Sequence, residues 1–398
     1  MNYHIIIQDK FFDCYIEDFY RIGQEKNNII LVRGNKGGSE VFKTSHDVEY
    51  LGPDNYEVLK NRLSILCSSD KLFISWYDLS IGRIISKLNI PCPIYVYLLG
   101  GEFYGEPQFY HEKWLLDPMT KKIYFHNTLY KNIFCKHKVW RSYRYISDFI
   151  SYCNIMTKVK RDYIDKDKSL SKIDYIILTE HSDKEVDFVK SLYPSCHAKH
   201  LPGVFDQNFE LAKKQELKSP SKDMLKIIFG HSADPTGNHI DGLNYIRTKL
   251  SIEYNLEVYS FLSYGDSNCR TWVLDYIKKN NINWFHPILE FLSRSKFVDF
   301  VNSMDILMMY HNRQQAEGNI MTALVLGKPV FIKPSNPQYD MLKRMGVKPV
   351  YDVTKMHMIN LFDAIKTAQY YRNDTICRIE KEYSEAVRLK HLKNLIQS

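Results

Sequence analysis

The sequence is most informative first in what it lacks. Its eight cysteines are scattered between Cys14 and Cys377 with no Cys-x-x-Cys pair. That spacing excludes a zinc knuckle and a disulfide framework, and it suits a reducing compartment. No segment reaches the roughly 18 apolar residues of a membrane span. The start, MNYHIIIQDKFF, has no basic region ahead of an apolar run, so neither a secreted nor an integral membrane protein is expected. There is no Gly-x-Gly-x-x-Gly and no Walker lysine; the loop Gly34-Asn35-Lys36-Gly37-Gly38-Ser39 has the glycines without the P-loop spacing and reads as a flexible turn. No internal repeat, low-complexity tract or recognisable nucleic-acid-binding module is present. Asp165-Lys166-Asp167 has the form of a metal-binding D-x-D, but its polar, lysine-rich surroundings read as a solvated loop.

What is present is a soluble globular composition, 44% hydrophobic and 25% charged over 398 residues, enough for two domains with proper cores. The net charge of +8 favours an anionic partner: a phosphorylated ligand, an acidic membrane surface or nucleic acid. Apolar runs alternate with helix-periodic stretches along most of the chain. Strands are expected at Tyr3–Ile7, Asn28–Val32, Leu72–Trp76, Ile94–Leu98, Asp174–Leu178 and His200–Val204. The rhythm resumes with Leu225–Phe229, Glu257–Leu262, Ile282–Phe285, Ile306–Tyr310 and Val330–Ile332. Such alternation predicts α/β architecture with parallel, doubly wound sheets. The lysine-rich polar stretch 207–224 reads as a linker. It divides a first domain, 1–206, from a second, 225–372, with the helical segment 373–398 expected to pack back on the first. Two doubly wound domains facing across a cleft are the expected arrangement.

Two strand-to-helix corners in the second half carry the chemistry. In LKIIFGHSADPTGNHIDGLN (Leu225–Asn244) a buried strand is followed by a polar turn, Gly230–Gly237, and a helix with Ile240, Leu243, Ile246 and Leu250 on its inner face. Asn238 is expected to cap that helix, with Asp241 as its partner three residues on. Unpaired N–H groups and the positive helix end at such a corner suit a phosphate. In Tyr310–Asn319 a second strand leads through Arg313, Gln314, Gln315 and Gly318 to a nearly all-apolar helix, which Asn319 is expected to cap. Arg313 there can offer a forked pair of charge-assisted bonds to a diphosphate, or pair with Glu317 one helical turn away.

In the first half, the expected strand Ile94–Leu98 runs into Leu99-Gly100-Gly101-Glu102-Phe103-Tyr104. Glu102 stands just past a strand end, where ligands of doubly wound sheets collect, behind glycines that permit close approach. From Lys131 to Asp165 the chain turns basic and aromatic, with Lys136, Lys138, Trp140, Arg141 and Arg144 set among Val139, Tyr143, Ile146 and Ile150. A helix of that character suits an anionic membrane surface.

GHSADPTGNHIDGL (Gly230–Leu243), FLSYGD (Phe261–Asp266) and RQQAEGNIMTALVLGKPV (Arg313–Val330) together resemble glycosyltransferase family 56, the TDP-N-acetylfucosamine:lipid II N-acetylfucosaminyltransferases of enterobacterial common antigen synthesis. GGEFY (Gly101 with its neighbours) is similar to the family's Gly-Ala-Asp-Leu-Tyr. Ala316 and Glu317 depart from the family's glycine and apolar residue, and Gln314 falls where many retaining relatives carry a glutamate. The resemblance implies a GT-B fold and no obligatory metal or other cofactor. It also implies a nucleotide-diphosphate sugar donor held by Gly230, Ser232, Asp234, Asn238 and His239, by Tyr264 and Gly265, and by Arg313, Gln314, Gln315, Gly318 and Asn319. A polyprenyl-diphosphate-linked saccharide acceptor would lie at Gly100, Gly101 and Tyr104, with Glu102 as general base if the reaction inverts configuration, at the inner face of the bacterial cytoplasmic membrane and without nucleic acid. The readings left beside it are a nucleotide-sugar 2-epimerase of the same fold and a non-catalytic peripheral membrane protein.

Overall fold

The computed structural model of the chain describes residues 1–9, 11–39, 42–52, 55–104, 115–125, 143–203, 209–218 and 223–397. The chain divides into two compact units. The first comprises Met1–Glu106, Val159–Asp206 and Glu380–Ser398; the second comprises Pro107–Lys158 and Gln207–Ile379. Residues 107–158, read from sequence as part of the first domain, group with the second unit.

The first unit is built on strands β1 (Asn2–Ile7), β2 (Asn28–Arg33), β3 (Glu49–Tyr50), β4 (Lys71–Ser75), β5 (Ile94–Tyr97), β6 (Tyr175–Leu178) and β7 (Lys199–Pro202). They lie in the order β3-β2-β1-β4-β5-β6-β7, every pair parallel. Parallel neighbours require long crossovers, and the crossover helices cover both faces of the sheet. The apolar runs Ile5-Ile6, Leu31-Val32 and Leu72-Phe73-Ile74 are accordingly buried throughout. The last helix, Glu385–Gln397, adds Leu392, Leu395 and Ile396 to a core with Phe12, Ile16 and Phe73. Its Arg388 forks onto the Asp18 carboxylate at 2.6 and 3.1 Å.

The second unit carries β8 (Leu225–Phe229), β9 (Leu256–Phe261), β10 (Phe285–Ile288), β11 (Ile306–Met309), β12 (Val330–Ile332) and β13 (Val350–Asp352). Their order is β10-β9-β8-β11-β12-β13, again parallel throughout. The order reverses between β8 and β11, so a crevice opens at their carboxyl ends, where doubly wound sheets bind ligands.

Local differences from the sequence reading have identifiable causes. The strand expected at Ile282–Phe285 is Phe285–Ile288, because β10 is an edge strand, where Pro287 costs no ladder bond. Asp165-Lys166-Asp167 is not a solvated loop but the last part of the helix Tyr143–Leu170. Asp165 pairs with Arg83 at 3.1 Å, Asp167 accepts from Ser195, and Lys166 is buried. Lys136, Lys138, Trp140 and Arg141 lie outside the described residues, and Arg144 falls within the helix Tyr143–Leu170. Among the described residues no helix is long and apolar enough to cross a membrane.

Candidate active site

At the end of β8 the chain turns through Gly230, whose φ of +70° is costly for any residue with a Cβ. A Cβ there would also stand 2.9 Å from Nε2 of His239, so glycine makes room for that ring. Ala233 then bridges to Gly265 beyond β9, its N–H donating to the Tyr264 carbonyl at 2.8 Å. Tyr264 is left 47% exposed beside the turn. Asp234 closes the next turn, Pro235–Gly237, by accepting the Thr236 N–H at 2.7 Å. Asn238 takes the left-handed conformation, φ +52°, and the helix starts at His239.

The capping box expected here does not form. Asn238 uses its side chain to accept the Asp117 N–H at 2.8 Å and to donate to the Leu115 carbonyl at 3.1 Å. Asp241 accepts the Met119 and Thr120 N–H groups at 2.9 and 2.7 Å, capping the helix Pro118–Phe125 instead of its own. A left-handed Asn238 points its amide away from the N–H groups it would have capped.

The corner after β11 packs against the one after β8. Arg313 leaves the strand end and lies 8% exposed. Its Nε donates to Thr236 Oγ1 at 2.8 Å, one terminal nitrogen to the Gln314 carbonyl at 2.9 Å, and the other to Asp234 at 3.4 Å. Gln315 is held by Thr236 and by Gln338. Ala316, at φ +62°, turns the chain into the helix Glu317–Val325. The helix therefore begins two residues before Asn319, which is not its cap. Glu317 accepts from Gln314 Nε2 at 3.0 Å.

This is a buried, polar and electrically divided site. Burial pushes the Asp234 carboxyl up, but Arg313 and the two bonds from Thr236 outweigh it and hold the carboxyl below the usual range. Burial pushes the His231 imidazole down to about 3, with Asp234 opposing and Arg313 adding to the shift. Burial likewise takes His239 to about 4 and His311 well below its ordinary value. These rings are neutral near pH 7. Both nitrogens of His239, Nε2 of His311, Nε2 of Gln315 and Nε2 of Gln338 are buried without a hydrogen-bond partner, and such atoms are costly unless something satisfies them. Among the described residues no group of three or more His, Cys, Asp or Glu is arranged to hold a metal ion.

In the first unit, β5 leads into the short helix Gly101–Tyr104. Gly100 has φ +102°, and a Cβ on Gly101 would press to 2.8 Å from the Trp76 ring. Glu102, 5% exposed, accepts the Leu99 N–H at 2.8 Å on Oε1. The turn is clamped from beneath. Lys166 donates to the Glu102 carbonyl, Tyr193 donates to the Phe103 carbonyl at 3.0 Å, and Tyr104 donates to Glu185 at 2.9 Å.

The sequence profile of the 4-alpha-L-fucosyltransferases, glycosyl transferase group 56, matches residues 181–388, just over half of the chain. The chain belongs to glycosyl transferase group 56. No curated protein sequence matches this group 56 transferase. Its fold is that of solved GT-B proteins. Sucrose-phosphate synthase from Thermosynechococcus elongatus superposes with a TM-score of 0.59 at 8% identity, covering 100% of this chain and 98% of that one. HepE of Anabaena, solved with UDP, gives 0.56 at 9% identity, covering 100% of both chains. The N-terminal domain of Candida albicans trehalose-6-phosphate phosphatase gives 0.59 at 10%, covering 100% of this chain and 96% of that one. Identities so low speak for the fold alone; the family carries the activity, that of a glycosyltransferase.

Of the residues selected from the sequence of the group 56 transferase, Gly230, Ser232, Asp234, Asn238, His239, Tyr264 and Gly265 gather around the turn after β8. Arg313, Gln314 and Gln315 gather at the turn after β11, and the two turns are joined through Thr236. Gly318 and Asn319 lie inside the adjoining helix. Gly100, Gly101, Glu102 and Tyr104 share one turn of the first unit. Residues missed in the sequence are Asp117, Lys166 and Lys333. Only Lys166 had a legible signal, since Tyr163, Lys166 and Leu170 recur at helical spacing.

Proposed function

We propose that the transferase moves a deoxy-amino sugar such as N-acetylfucosamine from a nucleoside diphosphate, TDP or a close analogue, to a lipid-linked saccharide at the inner face of the cytoplasmic membrane. The observation that supports a donor site most directly is the joining of the two corners at the β8/β11 switch point by Arg313, with unpartnered buried nitrogens of His239, His311, Gln315 and Gln338 around it. A diphosphate offers acceptor oxygens to the side-chain amide N–H groups of Gln315 and Gln338 and to the single N–H of a neutral imidazole, and it gains negative charge as its bond to the sugar breaks. Donors fixed in advance at that point therefore favour the transition state over the ground state. A thermal-shift screen with TDP, UDP, GDP and CMP tests the reading. A nucleoside diphosphate, TDP foremost, should raise the melting temperature; no shift with any of them would remove the donor site.

For the transfer we assign Glu102 as the base of an inverting reaction. The acceptor hydroxyl oxygen forms a bond to the anomeric carbon, its proton passes to the carboxylate, and the diphosphate departs with the electron pair of the broken carbon–oxygen bond. The lipid-linked acceptor and the membrane face follow from the family resemblance, and the net charge of +8 is in keeping with an anionic surface. Glu102→Gln should lower turnover by roughly a hundredfold to ten-thousandfold with nucleotide binding intact. A near-wild-type rate would leave Glu102 a structural role, such as its bond to the Leu99 N–H.

A further inference from the structure

The helix Pro118–Phe125 belongs to the stretch of chain between β5 and β6, yet it is built into the second unit. Asp241 caps its first turn through Met119 and Thr120. Met119, Ile123 and Tyr124 pack on the core, and the Tyr124 ring stands edge-on to Trp272 at 5.8 Å. That much already anchors the helix. A second, charged contact stands just ahead of it. Asp117 reaches across the carboxyl ends of β11 and β12, where one carboxylate oxygen pairs with the Lys333 ammonium and the other accepts the Asn312 amide at 3.0 Å. Its N–H is held by Asn238 after β8. Lys333 directly follows β12; its side chain is 8% exposed, and its ammonium lies 4.1 Å from the centre of the Tyr310 ring.

Three of the five Arg313 N–H groups are directed at Thr236, the Gln314 carbonyl and Asp234, and the Asp234 carboxylate faces its charge. A diphosphate carries more negative charge than Arg313, already facing Asp234, can offset alone. Lys333 stands at those strand ends with a carboxylate as its partner, and a phosphate oxygen accepts from the same donors as a carboxylate oxygen. We propose that Lys333 is a phosphate-binding residue of the donor site and that Asp117 is a built-in competing anion, holding Lys333 and Asn312 until the donor diphosphate replaces it. This rests on the donor-site reading above. On exchange the Asp117 end of the segment is released, while the Asp241 cap and the Tyr124–Trp272 contact keep the helix in place.

Titration calorimetry with TDP and UDP on the full chain tests the exchange. Lys333→Gln should weaken binding by at least about tenfold, the loss of one charge-assisted contact. Asp117→Asn, which removes the competing charge, should bind several-fold more tightly than the wild type. Unchanged affinity in Lys333→Gln, or equal or weaker affinity in Asp117→Asn, would overturn the proposal while leaving the donor site standing. Absence of binding to the wild-type chain would overturn both. Should Asp117→Asn fail to fold, amide exchange in the wild type decides. TDP should speed exchange at Asp117 while Met119 and Thr120 stay protected; slower or unchanged exchange at Asp117 would overturn the competition.

Discussion

Among the described residues, each unit sets a buried arginine against an aspartate, and the two pairs are used differently. In the first unit Arg388 grips Asp18 through two bonds of 2.6 and 3.1 Å, tying the last helix to the first. In the second, Arg313 approaches Asp234 only to 3.4 Å and divides its other donors between Thr236 and a carbonyl of its own turn. A closed fork between helices can only hold the fold. A guanidinium spread over two turns at a switch point orders a surface where ligands collect. The same contrast recurs in the turns. Lys166 and Tyr193 donate to the carbonyls of the Glu102 turn, whereas the turns of the second unit keep buried nitrogens without partners.

The sharpest way to break this comparison is to remove the arginine of the first pair. Arg388→Met leaves Asp18 buried without its counter-charge and should cost about 3–5 kcal/mol of stability, measured by urea unfolding. The variant that still folds should turn over at the wild-type rate. A stable Arg388→Met with impaired turnover would reverse the roles assigned to the two pairs.

Two glycines sharpen it further. Gly265 has φ +108°, and an added Cβ would lie 2.9 Å from the backbone carbonyl of Ala233, which cannot move without breaking the bridge between the turns. Gly265→Ala should cost about 2–3 kcal/mol and weaken nucleotide binding. Gly101→Ala meets the edge of the Trp76 ring instead; a side chain can give way, so about 1 kcal/mol is expected. Equal losses in a melting experiment would show that the backbone bridge is not the stiffer element.

A dependence on pH is expected as well. Burial lowers His4 to about 3, His231 to about 3 and His239 to about 4, and it also lowers His311 and His391. A histidine whose folded value lies below its unfolded value of about 6.5 contributes stability that is complete above that pH. The contribution is lost as the pH falls from there toward about 4 and then 3, because the unfolded chain takes up protons that the folded chain refuses. Three of these five histidines, His231, His239 and His311, are in the second unit. Limited proteolysis at pH 5 should therefore cut the second unit first; earlier cleavage of the first unit would contradict that distribution.

The architecture was legible because buried parallel strands write themselves as apolar runs: Ile227-Ile228-Phe229 and Ile306–Met309 mark β8 and β11, and the corners follow directly. The family was legible in the motifs that begin at Gly230, Phe261 and Arg313. What the sequence hid was which partner each polar group takes. Asn238 and Asp241 have the spacing of a capping box, but a left-handed Asn238 and a docked helix redirect both. Asp117 and Lys333 are 216 residues apart, and Lys166 meets Glu102 across 64; no local pattern announces such pairs. Pro287 marks a strand end only until its edge position is known.

The central claim is that the corners after β8 and β11 form one diphosphate site organised by Arg313. Its most direct test is calorimetric titration of TDP into the wild type and into Arg313→Met, with circular dichroism to verify the fold. The account predicts binding to the wild type and at least about a tenfold loss in the folded variant. Wild-type affinity in a folded Arg313→Met would contradict it.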